Sequence, residues 1–230
     1  TSFTFTPSLN QSGYRFRAVF TDYMGNSETT APATLTVVRA ATVLKVSTNV
    51  NPRRIGDPLE ITVDATAAVV GAGTPNGGTV SINIGAVNYS GTLVNGKAVF
   101  KDIPPVALGT YAVTATYDAA GDPVFASAQA ETTEVVVRGT SSLVGVLPSQ
   151  PVRVGTAVTI RAVLTAEGNI SNLAGGVVIL DNGNPIAFPQ LTTANGVTSA
   201  SITTTGLAPG VHRFQFVFLG NPELYAASTG

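Results

Sequence analysis

The chain contains no cysteine and no tryptophan, a single histidine and a single methionine, and only 11 % of its 230 residues are charged. Without cysteine there are no disulfides, no thiolate nucleophile and no Cys-based zinc site. Exported proteins tend either to pair their cysteines or to lack them, so this absence fits an extracellular or cell-surface location. One histidine cannot furnish a metal site without His or Cys companions. The lack of tryptophan removes the commonest aromatic platform for binding a sugar. Charge is well below the roughly 25 % of an ordinary soluble domain. A net charge of −1 leaves no electrostatic footprint for nucleic acid or an anionic membrane. No apolar run approaches the roughly 18 residues of a membrane helix, so no membrane insertion is expected in this segment.

What is present is apolar and rich in turn residues. Hydrophobic residues make up 44 % and glycine contributes 24 positions, enough to build cores without metal or disulfide. The length suits two β-sandwiches of about 100 residues each. An internal repeat is plain. Pro52-Arg53-Arg54-Ile55-Gly56 reappears as Pro151-Val152-Arg153-Val154-Gly155, and Leu59, Ile61 and Val63 fall on Val158, Ile160 and Ala162. Gly77-Gly78-Thr79-Val80 matches Gly175-Gly176-Val177-Val178, Asn95-Gly96 matches Asn195-Gly196, and Asp122-Pro123 matches Asn221-Pro222. Self-similarity at a nearly fixed spacing implies one module used more than once, with small loop insertions.

Within a module the pattern is that of strands. Leu59, Ile61, Val63 and Ala65 alternate with Glu60, Thr62 and Asp64, the period-2 signature of a half-buried strand. Asn-Gly pairs at 76, 95, 182 and 195 mark hairpin turns, whose central residues favour positive φ. Seven strands are expected in residues 41–138, starting near Val43, Leu59, Val80, Asn88, Ala98, Tyr111 and Glu134. The sixth occurs three times, as Tyr14-x-Phe16-x-Ala18-x-Phe20, Tyr111-x-Val113-x-Ala115-x-Tyr117 and His212-x-Phe214-x-Phe216-x-Phe218. Tyr111 at its start is similar to the tyrosine corner of immunoglobulin-type sandwiches. His212 replaces it in the last copy, which puts the corner bond in question there.

These motifs resemble the bacterial Ig-like repeat family: a Pro-x-x-x-Gly before the second strand, a Gly-rich start to the third, and an aromatic sixth strand. The strand is followed by a loop written here as Tyr117-Asp118-Ala119-Ala120-Gly121-Asp122-Pro123-Val124-Phe125 and as Phe218-Leu219-Gly220-Asn221-Pro222-Glu223-Leu224-Tyr225. The resemblance implies an all-β fold of tandem immunoglobulin-like antiparallel sandwiches. The expected organisation is residues 1–38 as the incomplete C-terminal part of one Ig-like domain, 39–139 as one repeat, and 140–230 as a repeat lacking its last strand. Both open ends are expected to be completed, by more of the same polypeptide or by a strand from a neighbouring subunit.

Little here could carry chemistry. His212 falls on a core-facing strand position with no evident nucleophile, so a packed corner residue is the expectation. Asp118 and Asp122 share a loop, and Asp181-Asn182-Gly183-Asn184 makes a tight turn, but no spacing matches a known calcium loop, and turn chemistry explains these residues as well. Lys45, Lys97 and Lys101 could in principle form isopeptide bonds, and are read as solubilising edge charges. Tyr23-Met24, Tyr89 and Phe188 are possible exposed apolar spots. Asn10-Gln11-Ser12, Asn88-Tyr89-Ser90 and Asn169-Ile170-Ser171 match glycosylation acceptors. No catalytic, cofactor-binding or metal residue is assigned, and an enzyme is not expected. The expected role is structural: spacer modules of a long secreted or surface-displayed bacterial protein such as an adhesin stalk, fibre or surface layer. Its partners would be neighbouring Ig-like modules of the same protein or of the next subunit. The alternative is a binding module that grips a protein or glycan with the loops at one end of a sandwich.

Overall fold

The computed structural model describes residues 2–104, 106–120, 122–168, 173–221 and 223–230. The Asn169-Ile170-Ser171 acceptor and Gly121 lie outside these. By spatial contacts the chain falls into two units, Thr1–Ser47 with Ile61–Phe100 and Ala112–Thr132, and Thr48–Glu60 with Lys101–Tyr111 and Thr133–Gly230.

The N-terminal segment is an interrupted hairpin. Strand β1 (Arg15–Phe16) pairs with β4 (Ala33–Thr34), and β2 (Val19–Thr21) pairs with β3 (Ser27–Thr29). Pro32 lies in the gap between the two ladders, where a residue without an N–H cannot continue the pairing. Asp22 shapes the tip: its carboxylate accepts from the Met24 and Asn26 N–H groups and from the Asn26 side-chain amide. No described residue before Leu44 is buried, so the apolar strand of Tyr14, Phe16 and Phe20 has no core of its own.

The middle sandwich places β5 (Thr42–Thr48), β7 (Leu59–Ala67) and β10 (Lys97–Ile103) in one sheet, ordered β10-β7-β5. The other sheet holds β6 (Arg53–Arg54), β8 (Thr79–Ile84), β9 (Val87–Thr92), β11 (Gly109–Asp118) and β12 (Ala128–Val137), ordered β6-β12-β11-β8-β9. Leu59, Ile61, Val63 and Ala65 are buried and alternate with more exposed neighbours, as the period-2 pattern requires. Across from them Val80, Ile82, Ile84, Val113, Ala115 and Tyr117 are buried on the second sheet. Each large aliphatic side chain removed from water in this way stabilises the fold by about 1.5–3 kcal/mol.

The last sandwich repeats the plan with β13 (Ser141–Val146), β14 (Val158–Ala166), β17 (Thr192–Ala194) and β18 (Val197–Thr204) in the order β13-β14-β18-β17. Its second sheet runs β16 (Asn184–Ala187), β15 (Val177–Asp181), β19 (Phe214–Phe218), β20 (Ser228–Thr229). Ile160, Ala162, Ile179, Phe216 and Phe218 meet in its core. Four strands in the order of an Ig-type A-B-E-D sheet face a C′-C-F-G sheet, so the fold is an all-β, immunoglobulin-like sandwich. β20 lies where the last strand belongs, pairing Val217 with Thr229 and Phe218 with Ser228, and the Phe216 and Gly230 backbones exchange two further bonds.

Two sequence expectations are corrected. Asn95, Asn182 and Asn195 have positive φ, as does the glycine after each, and they make tight hairpin turns, but Asn76 does not. It precedes β8, and its side-chain oxygen accepts the Asn95 N–H at 2.9 Å. The seventh strand starts at Ala128, six positions before Glu134. Its first half is small and polar and carries no hydrophobic alternation to read; pairing with β11 alone makes it a strand.

Candidate functional site

The two sandwiches meet at residues 138–142, and the chemistry of that joint starts in a core. Arg53 and Glu134 are both fully buried, with Arg53 Nε 3.4 Å from Glu134 Oε1. Arg53 also donates from Nη1 to the Asp57 carbonyl at 2.7 Å, while its Nε and Nη2 have no hydrogen-bond partner among the described residues. Burial pushes the Glu134 carboxyl up, opposed by Thr48 and by the Arg53 guanidinium. β6 is held there because Arg53 and Arg54 pair in parallel with Val136 and Val137. Asn51 adds a side-chain bridge, accepting the Val135 N–H at 3.0 Å and donating to the Thr133 carbonyl at 2.5 Å. Beyond this pole, Arg54 Nη2 reaches Glu167 at 2.7 Å, and the Thr140 hydroxyl donates to the same carboxylate at 2.6 Å. None of this was legible in the sequence, where Arg53-Arg54 had only a repeat match.

Each sandwich fastens its own leading residue. Ala40 donates to the Val124 carbonyl and accepts from the Ala126 N–H. Gly139 does the same with Leu224 and Ala226, making parallel bridges beside the buried rings of Phe125 and Tyr225. The Asp122 loop serves this clamp. Asp122 accepts N–H groups of Val124 at 2.8 Å, Phe125 at 3.2 Å and Asn76 at 3.3 Å, with the Tyr117 hydroxyl at 3.5 Å. Burial works to raise its pKa, but the Val124, Asn76 and Phe125 N–H groups together outweigh it and hold the carboxyl below its ordinary 3.8. Asp118 accepts the Ala120 N–H at 3.0 Å. Their observed bonds are turn chemistry, and no group of three or more metal-binding side chains occurs among the described residues.

His212 keeps the corner bond that its sequence put in question. Tyr111 donates its hydroxyl to the Ala107 carbonyl at 3.0 Å, and His212 Nε2 lies 2.9 Å from the equivalent Ala208 carbonyl. Both partners are four residues upstream, so an imidazole spans the corner that a phenol spans in the other sandwich. Its Nδ1 meets Asp181 Oδ2 at 2.6 Å, beside an open cavity of about 510 Å³ lined by Ile186, Ile202 and Leu207 among others.

The remaining candidates are scattered. Lys45 is exposed on β5, while Lys97 pairs with Asp64 and Lys101 with Glu60, each at 3.4 Å on the surface. Tyr23 and Met24 stand at 92 % and 71 % exposure on the N-terminal hairpin tip, and Phe188 is exposed after β16. Tyr89 is half-buried. Asn10 and Asn88 are exposed, the latter on β9. No described helix is long and apolar enough to cross a membrane.

No family model matches the chain, and no curated protein does. Among solved structures it is similar to the FN1–FN3 domains of chicken CNTN1, at 13 % identity over 94 % of this chain and 73 % of that one, with a TM-score of 0.25. The fold assignment rests on the strand orders and registers of the chain itself.

Proposed function

We propose that the chain is a run of tandem immunoglobulin-like modules, of the kind found in bacterial Ig-like repeat proteins, that serves as a structural spacer in a secreted or surface-displayed protein. The observation that carries this reading is the joint at residues 138–142. Gly139 and Thr140 have backbone bonds to Leu224, Ala226 and Glu167, and the Glu167 carboxylate is shared between Arg54 and Thr140. A spacer transmits position only if its joints are fixed, and a linker consumed in hydrogen bonds is fixed. The same leading-residue clamp at Ala40 and Gly139 supports reuse of one module. The reading gives the chain no catalytic role: its one histidine has both ring nitrogens turned to acceptors that hold the fold together. Its partners are further modules of the same type. Backbone ¹⁵N relaxation tests the proposal. Residues 138–142 should be as ordered as β12 and β13; order parameters falling to about 0.6 or below there would rule out a fixed spacer. Turnover of ester, peptide or glycosidic substrates that disappears in His212→Ala would rule out the non-enzymatic role.

A further inference from the structure

Both ring nitrogens of His212 face oxygen atoms that can only accept: the Asp181 carboxylate at 2.6 Å and the Ala208 carbonyl at 2.9 Å. A neutral imidazole has one N–H and can satisfy one of them; the imidazolium has two and satisfies both. Only the protonated ring therefore satisfies both contacts. The ring also stacks on Phe214 with centroids 6.0 Å apart, and its side chain is 19 % exposed.

We propose that His212 is a pH-responsive latch, whose imidazolium ties Ala208, in the connection between β18 and β19, to Asp181 at the end of β15 and whose deprotonation releases Ala208. On loss of a proton to solvent, the remaining N–H stays on Nδ1, because the carboxylate is the stronger acceptor. The Nε2 lone pair then points at the Ala208 carbonyl oxygen, and two acceptors 2.9 Å apart repel. The corner opens at Ala208, on the wall of the cavity that His212, Asp181 and Leu207 share. In the middle sandwich the corner bond runs instead from the Tyr111 hydroxyl to the Ala107 carbonyl.

The charges around the ring are few. Asp181 comes from β15; Arg213 adjoins His212 in the chain, and Arg153 lines the groove beside it from the segment before β14. Residues 205–210 and β16 contribute no ionisable side chain. The Ala208 carbonyl first, and then the Asp181 carboxylate, hold the imidazole pKa above its ordinary 6.5. A raised folded-state pKa means that the latch contributes fully below pH 6.5 and is lost as pH rises through the folded value.

Because the chain has one histidine, a single imidazole Cε1–H resonance follows the latch without assignment ambiguity. In the 1–230 protein it should titrate above 6.5. The amide shifts of Ala208 and Gly210 should move with it. Protection of the Asn182 N–H, which donates to the Arg213 carbonyl at 2.9 Å, should fall severalfold over the same range once intrinsic exchange is divided out. Asp181→Asn should bring the pKa down, and His212→Tyr, which installs the corner of the other sandwich, should abolish the amide transitions. A wild-type pKa at or below 6.5 overturns the proposal, as do amide shifts that ignore the titration or survive in His212→Tyr. If His212→Tyr does not fold, the wild-type titration decides alone.

Discussion

The middle and last sandwiches bury corresponding strand positions but carry different residues at the pole next to the sixth-strand corner. In the middle sandwich that pole is closed by β6, and Arg53 lies fully buried against Glu134. In the last sandwich Val152 and Val154 take the places of Arg53 and Ile55, stand 47 % and 69 % exposed, and belong to no strand. β6 pairs with the final residues of β12, Val136 and Val137. Alternating apolar residues stack the two sheets, and in the middle sandwich a pair of strands and a pair of buried charges lie across their end.

The ion pair gives the comparison its most severe test. Removing one member leaves the other as an unpaired charge in a closed core, so Arg53→Met or Glu134→Leu alone should destabilise the middle sandwich by about 3–5 kcal/mol. The double variant should fall close to wild type or above it, because hydrophobic isosteres of a buried pair are often neutral or stabilising. Val152→Ala, at the matching position, should change stability by no more than about 0.5 kcal/mol, as expected for an exposed site. Urea unfolding followed by circular dichroism and tyrosine fluorescence reads all four. Single variants as mild as the double would mean that the charges do not seal the pole.

The second contrast lies in the leading residues. Ala40 and Gly139 make the same bonds, yet a Cβ on Gly139 would collide with the Glu167 carbonyl and approach the Tyr225 ring to 2.7 Å. Backbone and a buried ring cannot yield cheaply, so Gly139→Ala should cost about 1–3 kcal/mol. Ala40→Gly should cost about 0.5–1 kcal/mol, the usual effect of added chain freedom. Equal effects at the two sites would show that the clamps are not differently packed.

The loops after the sixth strands should separate in acid. Asp122 is buried under three N–H groups, and Asp122→Ala leaves these donors unpaired, at about 1–2 kcal/mol. Among the described residues the half-buried Asn221 accepts the Glu223 N–H alone with its side chain. The Asp122 pKa is depressed below 3.8, so its contribution is complete above pH 3.8 and disappears as pH falls through the lower folded value. Acid should therefore weaken this loop in the middle sandwich while Asn221, which does not titrate, leaves its counterpart unchanged. Chemical-shift titration of the Phe125 and Tyr225 amides from about pH 5 to pH 2 compares them directly; a matching transition at Tyr225 would break the distinction.

How far the sequence could be read follows the same divide. β5 and the strands from β7 to β11 are legible in the sequence, and the predicted starts at Val43, Leu59, Val80, Asn88, Ala98 and Tyr111 fall within two residues of those observed. β6 escaped notice because two residues have no period. Ala128–Thr133 escaped because their pairing depends on β11 and not on their own side chains. The buried charges were invisible for a related reason: Arg53 and Glu134 are 81 positions apart in the sequence, and polar residues near turns usually face water. The corner was half legible. Position 212 was recognised as equivalent to Tyr111, but histidine as its chemical substitute appears only once Ala208 and Asp181 are seen on its two nitrogens.

The smallest expected effect concerns the surface half of the joint. Arg54 and Glu167 approach to 2.7 Å, but their side chains are 42 % and 65 % exposed, in contrast to the closed pair one residue away at Arg53. Exposed ion pairs contribute about 0.2–1 kcal/mol, and salt screens them. Glu167→Gln keeps the shape and a hydrogen-bond acceptor for Thr140 while removing the charge. It should cost less than about 1 kcal/mol at low salt and almost nothing near 1 M, where the screening length falls to about 3 Å. The joint should stay ordered at both salt concentrations, because its backbone bonds from Gly139 and to Thr140 involve no side-chain charge. Thermal unfolding and ¹⁵N relaxation of Glu167→Gln at low and high salt measure the two terms separately. A loss of order at residues 138–142 on neutralising Glu167 would transfer control of the joint from the backbone to this one exposed pair.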